Sequence, residues 1–409
     1  MSLLRPIRLA VYFDQKILNG GGFQQALNAA LLIKELPNTL VCPVFYVKHK
    51  ESLETLGAHG IQSIFLEQSY LSRIFTKIRR GIRSELFLRL IKKIFGPNGF
   101  EKGFIRNGID LVYFVSPSPE AADLDELNYL ITIWDLSFRE DVEFPEIRSY
   151  RAFENRECLF RDILPKAMAI IADSEMGKRN LSKYYGLDSE RIIVLPYMPA
   201  QGVMVDPSLH EKKYFDVATI YDLDVPYIFY PAQFWAHKNH VYILHGLKIL
   251  ESSYGHTVGA IFSGGDKGNL GRIKKLAQEL GLIDRIRFVG FVENNIVPYL
   301  YKQALALVMP TYFGPTNLPP YEAFVLGVPV LYSNKSGLRD QVEDAALLMD
   351  LADPTSMAKH LVSLIENEKI SYNLFLSGNA LLKRIKDFDR LESLKKMLEL
   401  FRCRLVTWS

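Results

Sequence analysis

Cysteine is scarce: Cys42, Cys158 and Cys403 are the only three in 409 residues, odd in number and far apart. They make neither a disulfide framework nor a thiolate zinc site, and they fit a reducing compartment. Long apolar runs are also missing. The best, such as Val225-Pro-Tyr-Ile-Phe-Tyr230, fall far short of the ~18 residues that span a bilayer. The opening Met1-Ser-Leu-Leu-Arg-Pro-Ile-Arg8 has neither an apolar core region nor a small-residue cleavage site, so export is not expected. No low-complexity block, no GxGxxG and no GxxxxGK[ST] occurs. A cytoplasmic, folded protein is the expectation.

What is present is a globular composition, 48% apolar and 23% charged, enough for two or three domains with real cores. Net charge is only +3 but unevenly spread. Between Tyr70 and Arg106 ten Lys/Arg face two Glu, so that stretch is +8 and the remainder −5. An island of this kind fits an anionic membrane surface, with Leu71, Ile74, Phe75, Ile78 and Ile82 at helical spacing, and not general nucleic-acid binding; a solvated basic helix packing that apolar stripe on the N-terminal sheet explains it too. The site on the membrane is then peripheral, on its inner face.

Short β-branched runs alternate with amphipathic stretches from end to end. They predict strands over Ile7–Phe13, Val41–Val47, Ile61–Phe65, Asp110–Val115, Leu130–Trp134, Ala169–Ala172 and Arg191–Leu195, then over Tyr227–Pro231, Thr257–Ser263, Arg285–Val289, Ala304–Met309 and Pro329–Leu331. Helices are expected between, as over Phe23–Leu36, His240–Ser252, Leu270–Leu280 and Met357–Asn367. Near-continuous apolar strands separated by helices read as parallel sheets buried on both faces. Twelve strands are too many for one comfortable sheet, so the reading is α/β, two Rossmann-like doubly wound domains facing across a cleft. Periodicity lapses over Pro199–Asp224. The expected division is therefore an N-terminal domain over 1–205, a C-terminal domain over 206–385, and a C-terminal helix, 386–409, packing back on the first.

Four stretches could carry chemistry. Asn19-Gly-Gly-Gly-Phe23, with Gly21 and Gly22, lies between a strand and a helix, where glycines admit a phosphate or sugar to backbone amides; an ordinary flexible turn explains it too. Tyr230-Pro-Ala-Gln-Phe-Trp-Ala-His-Lys-Asn-His240 places Lys238 at a strand–helix junction, where a lysine neutralises a diphosphate as a point charge. His237, His240 and His245 have no carboxylate or cysteine at metal-ligand spacing, so cap and surface packing is the expectation for them and no metal is expected. Ser263-Gly-Gly-Asp-Lys-Gly268, with Gly265, is a ligand-facing or plain turn. The strongest is Pro310-Thr-Tyr-Phe-Gly-Pro-Thr-Asn-Leu-Pro-Pro-Tyr-Glu322, a Gly/Pro loop leading into a helix. Thr316, Asn317 and Leu318 are expected to offer helix-start N–H groups to an anion, and Glu322 to accept two ribose hydroxyls.

On these segments, with Arg287-Phe-Val-Gly-Phe291, Gly327-Val-Pro-Val330, Ser336-Gly-Leu-Arg339 and Ala169-Ile-Ile-Ala-Asp-Ser-Glu175, the sequence resembles the retaining glycosyltransferases of family four, of GT-B fold, and among them bacterial polysaccharide and O-antigen transferases. The resemblance implies a metal-independent hexosyl transfer from a nucleoside-diphosphate sugar to a glycan or polyprenyl-linked acceptor, as in lipopolysaccharide synthesis, with the nucleotide sugar a substrate and no cofactor. It assigns Glu322 to the ribose, Lys238 and Gln233 to the diphosphate, Thr316, Asn317 and Leu318 to sugar and phosphate, and Phe291 and Val292 to the border of the base. Asp135 is placed near the donor sugar or acceptor hydroxyl. Three positions depart from the family: Gly314 stands where the first glutamate of Glu-x7-Glu would be, Gln233 replaces a frequent arginine, and Trp134 a histidine. Three other readings stay open. Asp123-Leu-Asp125 and Asp222-Leu-Asp224 match the Asp-x-Asp of metal-dependent transferases, an epimerase shares the fold, and Gly314 favours a non-catalytic nucleotide-sugar-binding subunit.

Overall fold

The computed structural model describes residues 5–15, 21–66, 99–200, 203 and 215–408. The basic island therefore lies largely outside the described residues, as does half of the expected boundary region; of the island, the helix Gly99–Arg106 is described. The chain packs as two units. One comprises Met1–Leu136, Glu154–Pro196 and Asp389–Ser409, the other Ser137–Phe153 and Tyr197–Phe388. The sequence boundary had assigned 137–153 to the first domain; its packing partners put it in the second.

The first unit holds a seven-stranded sheet of β1 (Ile7–Phe13), β2 (Val41–Val47), β3 (Ser63–Phe65), β4 (Leu111–Phe114), β5 (Asn128–Ile133), β6 (Ala169–Ala172) and β7 (Ile192–Val194), in the order β3-β2-β1-β4-β5-β6-β7. Every pairing is parallel, β1 meeting β2 with Ile7 opposite Val41 and β4 with Leu9 opposite Leu111. Both faces are covered, which is why these strands carry so little polar alternation. On one face Leu9, Val11 and Phe13 join Leu27, Ala30 and Ile33 of the helix Gly21–Lys34 and Leu394, Leu398 and Phe401 of the C-terminal helix Arg390–Leu405. On the other, Tyr12 packs edge-on against Phe100, Phe104 and Phe114, with ring centroids 5.2–6.1 Å apart.

The second unit has a six-stranded parallel sheet of β8 (Tyr227–Pro231), β9 (Gly259–Ser263), β10 (Ile286–Gly290), β11 (Ala306–Met309), β12 (Val330–Ser333) and β13 (Leu347–Met349), in the order β10-β9-β8-β11-β12-β13. β13, a three-residue Leu-Leu-Met strand with no β-branched residue, gives no sequence signal. In both sheets the strand order reverses beside the first strand of the unit, between β1 and β4 and between β8 and β11. Open parallel sheets bind ligands at the carboxyl ends of strands at such a switch point.

Candidate functional site

β8 ends at Pro231 and β11 at Met309, and the segments that leave them meet. After β8 the chain makes a single 3-10 turn, Ala236–Lys238, and then enters the helix His240–Tyr254. Asn239 joins the two in a left-handed conformation, φ 56°, which a non-glycine residue adopts at a cost that asparagine bears best. Tyr230 fixes the turn from below by donating its hydroxyl to the Lys238 carbonyl at 3.0 Å. The Lys238 ammonium then points at the second loop, 3.4 Å from Thr311 Oγ1 and 3.5 Å from Asn317 Oδ1. Gln233, expected beside Lys238 as a donor contact, accepts from the Trp235 indole at 3.0 Å.

The loop after β11 is organised by Asn317 and Gln341. Gln341 Oε1 accepts the Asn317 N–H at 2.9 Å and the Tyr332 hydroxyl at 2.9 Å, while Asn317 Nδ2 donates to Phe313 O at 3.1 Å and to the Tyr332 hydroxyl at 2.7 Å. The helix Leu318–Val325 begins there, with Pro319 and Pro320 in its first turn, where a missing N–H costs nothing to the helix. The expectation of three open amides is thus reduced. The Asn317 N–H is taken up by Gln341, and Pro319 and Pro320, which follow Leu318, have no N–H, so of the three expected amides Asn317's is already used.

One turn into that helix Glu322 points inward. Its carboxylate is 9% exposed as a residue and accepts the hydroxyl of the fully buried Tyr301 at 2.8 Å. Burial raises its pKa to about 7, against the lowering effect of the Tyr301 hydrogen bond. At the end of β10 Phe291 is 63% exposed, its ring lying over Gly265, where a Cβ would come within 2.9 Å of Cε2. Val292 follows it, half-buried against the core.

Two of the three histidines, His237 and His240, are not surface groups. His240 is wholly buried among Tyr230, Phe234 and Phe262, and burial, with the neighbouring Lys238 and His237 charges, lowers its pKa to about 3, so it is neutral. His237 is also buried. Among the described residues no group of three or more His, Cys, Asp or Glu side chains gathers as metal ligands.

In the first unit, Gly22 and Trp134 come together at the ends of β1 and β5: a Cβ on Gly22 would lie 2.9 Å from Trp134 Cη2. Glycine there leaves room for the indole. Gly21 opens the helix Gly21–Lys34, and Asp135 is exposed one residue past Trp134. The residues that sequence reasoning gave no role are those that hold others: Tyr301, Thr311, Tyr332 and Gln341. Thr311 stands inside a singled-out segment, and Tyr332 and Gln341 each lie two residues past one.

Residues 216–375 match the family model "Glycosyl transferases group 1". Among curated proteins, O-antigen chain mannosyltransferase B of Escherichia coli is 35% identical over 83 residues, 20% of this chain and 22% of that one. O-antigen chain mannosyltransferase RfbU of Salmonella typhimurium is 24% identical over 187 residues, 46% of this chain and 48% of that one. The chain thus spans between about a fifth and a half of the length of these relatives. Anabaena HepE, solved in complex with UDP-glucose, superposes with a TM-score of 0.70 over 97% of this chain and 99% of its own, at 15% identity, a likeness of fold. The chain has the GT-B fold, and its residues 216–375 are similar to a group 1 glycosyltransferase domain.

Proposed function

We propose that the protein is a retaining glycosyltransferase that moves a sugar from a nucleoside-diphosphate donor to a glycan or lipid-linked glycan in cell-surface polysaccharide synthesis. The observation that carries the reading is the meeting of Lys238, Asn317 and Thr311 at the carboxyl ends of β8 and β11, inside the domain that matches the family model. An ammonium that meets the neutral oxygens of Thr311 and Asn317 can exchange them for phosphate oxygens. The amides of Thr316 and Leu318 add donors, and Glu322 is the acceptor for ribose hydroxyls. The neighbours' names point the same way: two relatives are O-antigen mannosyltransferases and the HepE structure holds UDP-glucose.

In this reading the bond between the anomeric carbon and the diphosphate oxygen breaks through an oxocarbenium-like state, and the work of the protein is to stabilise the departing diphosphate. Lys238 and the two amides do so without a metal. A donor phosphate oxygen takes the acceptor proton, and Asp135 lies near the donor sugar or the acceptor hydroxyl. Gly314 favours a second reading, a subunit that binds nucleotide sugar without turnover, because the carboxylate that the family directs at the donor sugar is missing. Incubation with UDP- and GDP-sugars and a glycan acceptor separates them. Release of nucleoside diphosphate with a lengthened glycan, its new linkage keeping the donor's anomeric configuration by NMR, supports transfer; binding without product supports the subunit. The membrane partner rests on the charge of 70–106. It predicts sedimentation with anionic liposomes at low salt and release as salt rises; a protein that stays in the supernatant at low salt excludes it.

A further inference from the structure

Residues 137–153 leave the end of β5 and lie against the two loops of the second unit's switch point. The segment is fixed at three places. Ser137 Oγ donates to Gly314 O at 2.5 Å and accepts the Gly314 N–H at 3.2 Å. Asp141 pairs with Lys335, whose ammonium also donates to Tyr312 O at 2.9 Å. Glu146 grips His237: its Oε1 accepts the His237 backbone N–H at 3.0 Å and meets the ring at Nδ1. The Glu146 and His237 side chains are 9% and 10% exposed.

His237 is where the two loops are joined. Its ring stacks on Phe313, with centroids 3.9 Å apart and planes 8° from parallel, and its carbonyl accepts the Tyr312 N–H at 2.9 Å. Phe144, two residues before Glu146, closes the aromatic group at 5.3 Å from both Tyr312 and Phe313. His237 is also the middle residue of the turn that ends in Lys238. One carboxylate oxygen thus holds both the backbone and the ring of the residue that sets the course of Lys238. Burial works to raise the Glu146 pKa, but the hydrogen bonds from His237 outweigh it and hold the carboxyl below the usual range, so it is ionised when it makes them.

We propose that Glu146 is a positioning residue for the diphosphate site, acting through His237 to fix Lys238 against the loop at Thr311 and Asn317. The inference rests on the reading of Lys238 as a diphosphate ligand. Misplacement by about 1 Å is enough to cost a group of this kind a large part of its effect. A carboxylate that merely stabilises the fold would, when removed, weaken every ligand alike.

The test is calorimetric titration of wild type, Glu146→Ala and Glu146→Gln with UDP and GDP, and with uridine and guanosine. For the diphosphate that binds the wild type, affinity falls about tenfold or more in Glu146→Ala, while the matching nucleoside, held through Glu322, binds within about twofold of wild type. Glu146→Gln, whose amide oxygen still accepts the His237 N–H, lies between. If Glu146→Ala does not fold, the same split in Glu146→Gln carries the result. Equal losses for diphosphate and nucleoside, or no loss for either, overturn the inference. Should the wild type bind neither diphosphate, the donor reading falls first and takes the inference with it.

Discussion

Leu338 occupies the space that a side chain at position 314 would need: a Cβ built on Gly314 lies 2.2 Å from Leu338 Cδ2 and 3.0 Å from its Cγ. Leu338 is itself 1% exposed within the second unit's core. At the position where the resemblance would put a first glutamate, packing excludes a side chain. The room for its Cβ is filled by Leu338, and the Gly314 backbone is held on both its N–H and its carbonyl by Ser137.

Gly314→Ala is expected to destabilise the second unit by about 1–3 kcal/mol, the usual range for overpacking. Combined with Leu338→Ala the cost should shrink, since the cavity that substitution opens receives the new methyl. Denaturant melts of the two single variants and the double variant measure it. Additive losses would show that Leu338 is not what excludes a side chain there.

Lys238→Ala is expected to lower turnover by roughly 10²–10³, the loss seen when one group that stabilises developing charge is removed. Activity of the wild type should persist in EDTA, because the ammonium and two amides supply the positive field. Strict dependence on added Mn²⁺ or Mg²⁺ would return the Asp-x-Asp reading to consideration.

Much of the fold was legible because parallel strands buried on both faces announce themselves. Ile7–Phe13, Val41–Val47, Ala169–Ala172 and Tyr227–Pro231 have the bounds that their apolar runs suggest. β13 was not legible, being three residues without β-branching. At the site, Lys238, Asn317 and Glu322 stood out as polar residues in a Gly/Pro-rich frame at strand ends. Their supports did not, because the pairs Tyr301–Glu322, Asn317–Gln341 and Glu146–His237 are 21, 24 and 91 residues apart and a single chain carries no mark of such pairings. For the same reason 137–153, continuous with β5, gave no sign that its partners lie in the other unit.

The C-terminal helix Arg390–Leu405 packs in the first unit, burying Leu394, Leu398, Phe401 and Leu405 in its core. Leu398 has no exposure, so Leu398→Ala should cost about 3 kcal/mol through lost burial and the cavity left behind. Hydrogen exchange on the variant checks where the loss falls. Protection should drop in β1, β2 and the helix Gly21–Lys34, and remain in β8 and β11; a drop confined to the second unit would contradict the packing.

Glu322, if it accepts the ribose hydroxyls as proposed, should make stability and nucleoside binding respond to pH in opposite senses. Its folded pKa, about 7, stands above the ordinary 4.5. Below about 4.5 the carboxyl is protonated folded or unfolded; between 4.5 and 7 the folded chain keeps a proton that the unfolded chain has lost. Its contribution to stability is therefore largest on the acid side, declines as pH rises to 7 and is level beyond. Ribose hydroxyls prefer the ionised acceptor, so nucleoside binding should strengthen as pH rises and level above 7, changing by up to about tenfold per unit below it. Glu322→Gln should remove both slopes and weaken the nucleoside, since an amide offers one acceptor where the carboxylate offers two. Tyr301→Phe should move the binding midpoint upward, because the hydroxyl it removes lowers the Glu322 pKa. Titrations of the three proteins between pH 5 and 9 measure it, taking the difference from Glu322→Gln to cancel every other titrating group. A wild-type profile that parallels that of Glu322→Gln would mean that this carboxylate does not touch the nucleoside.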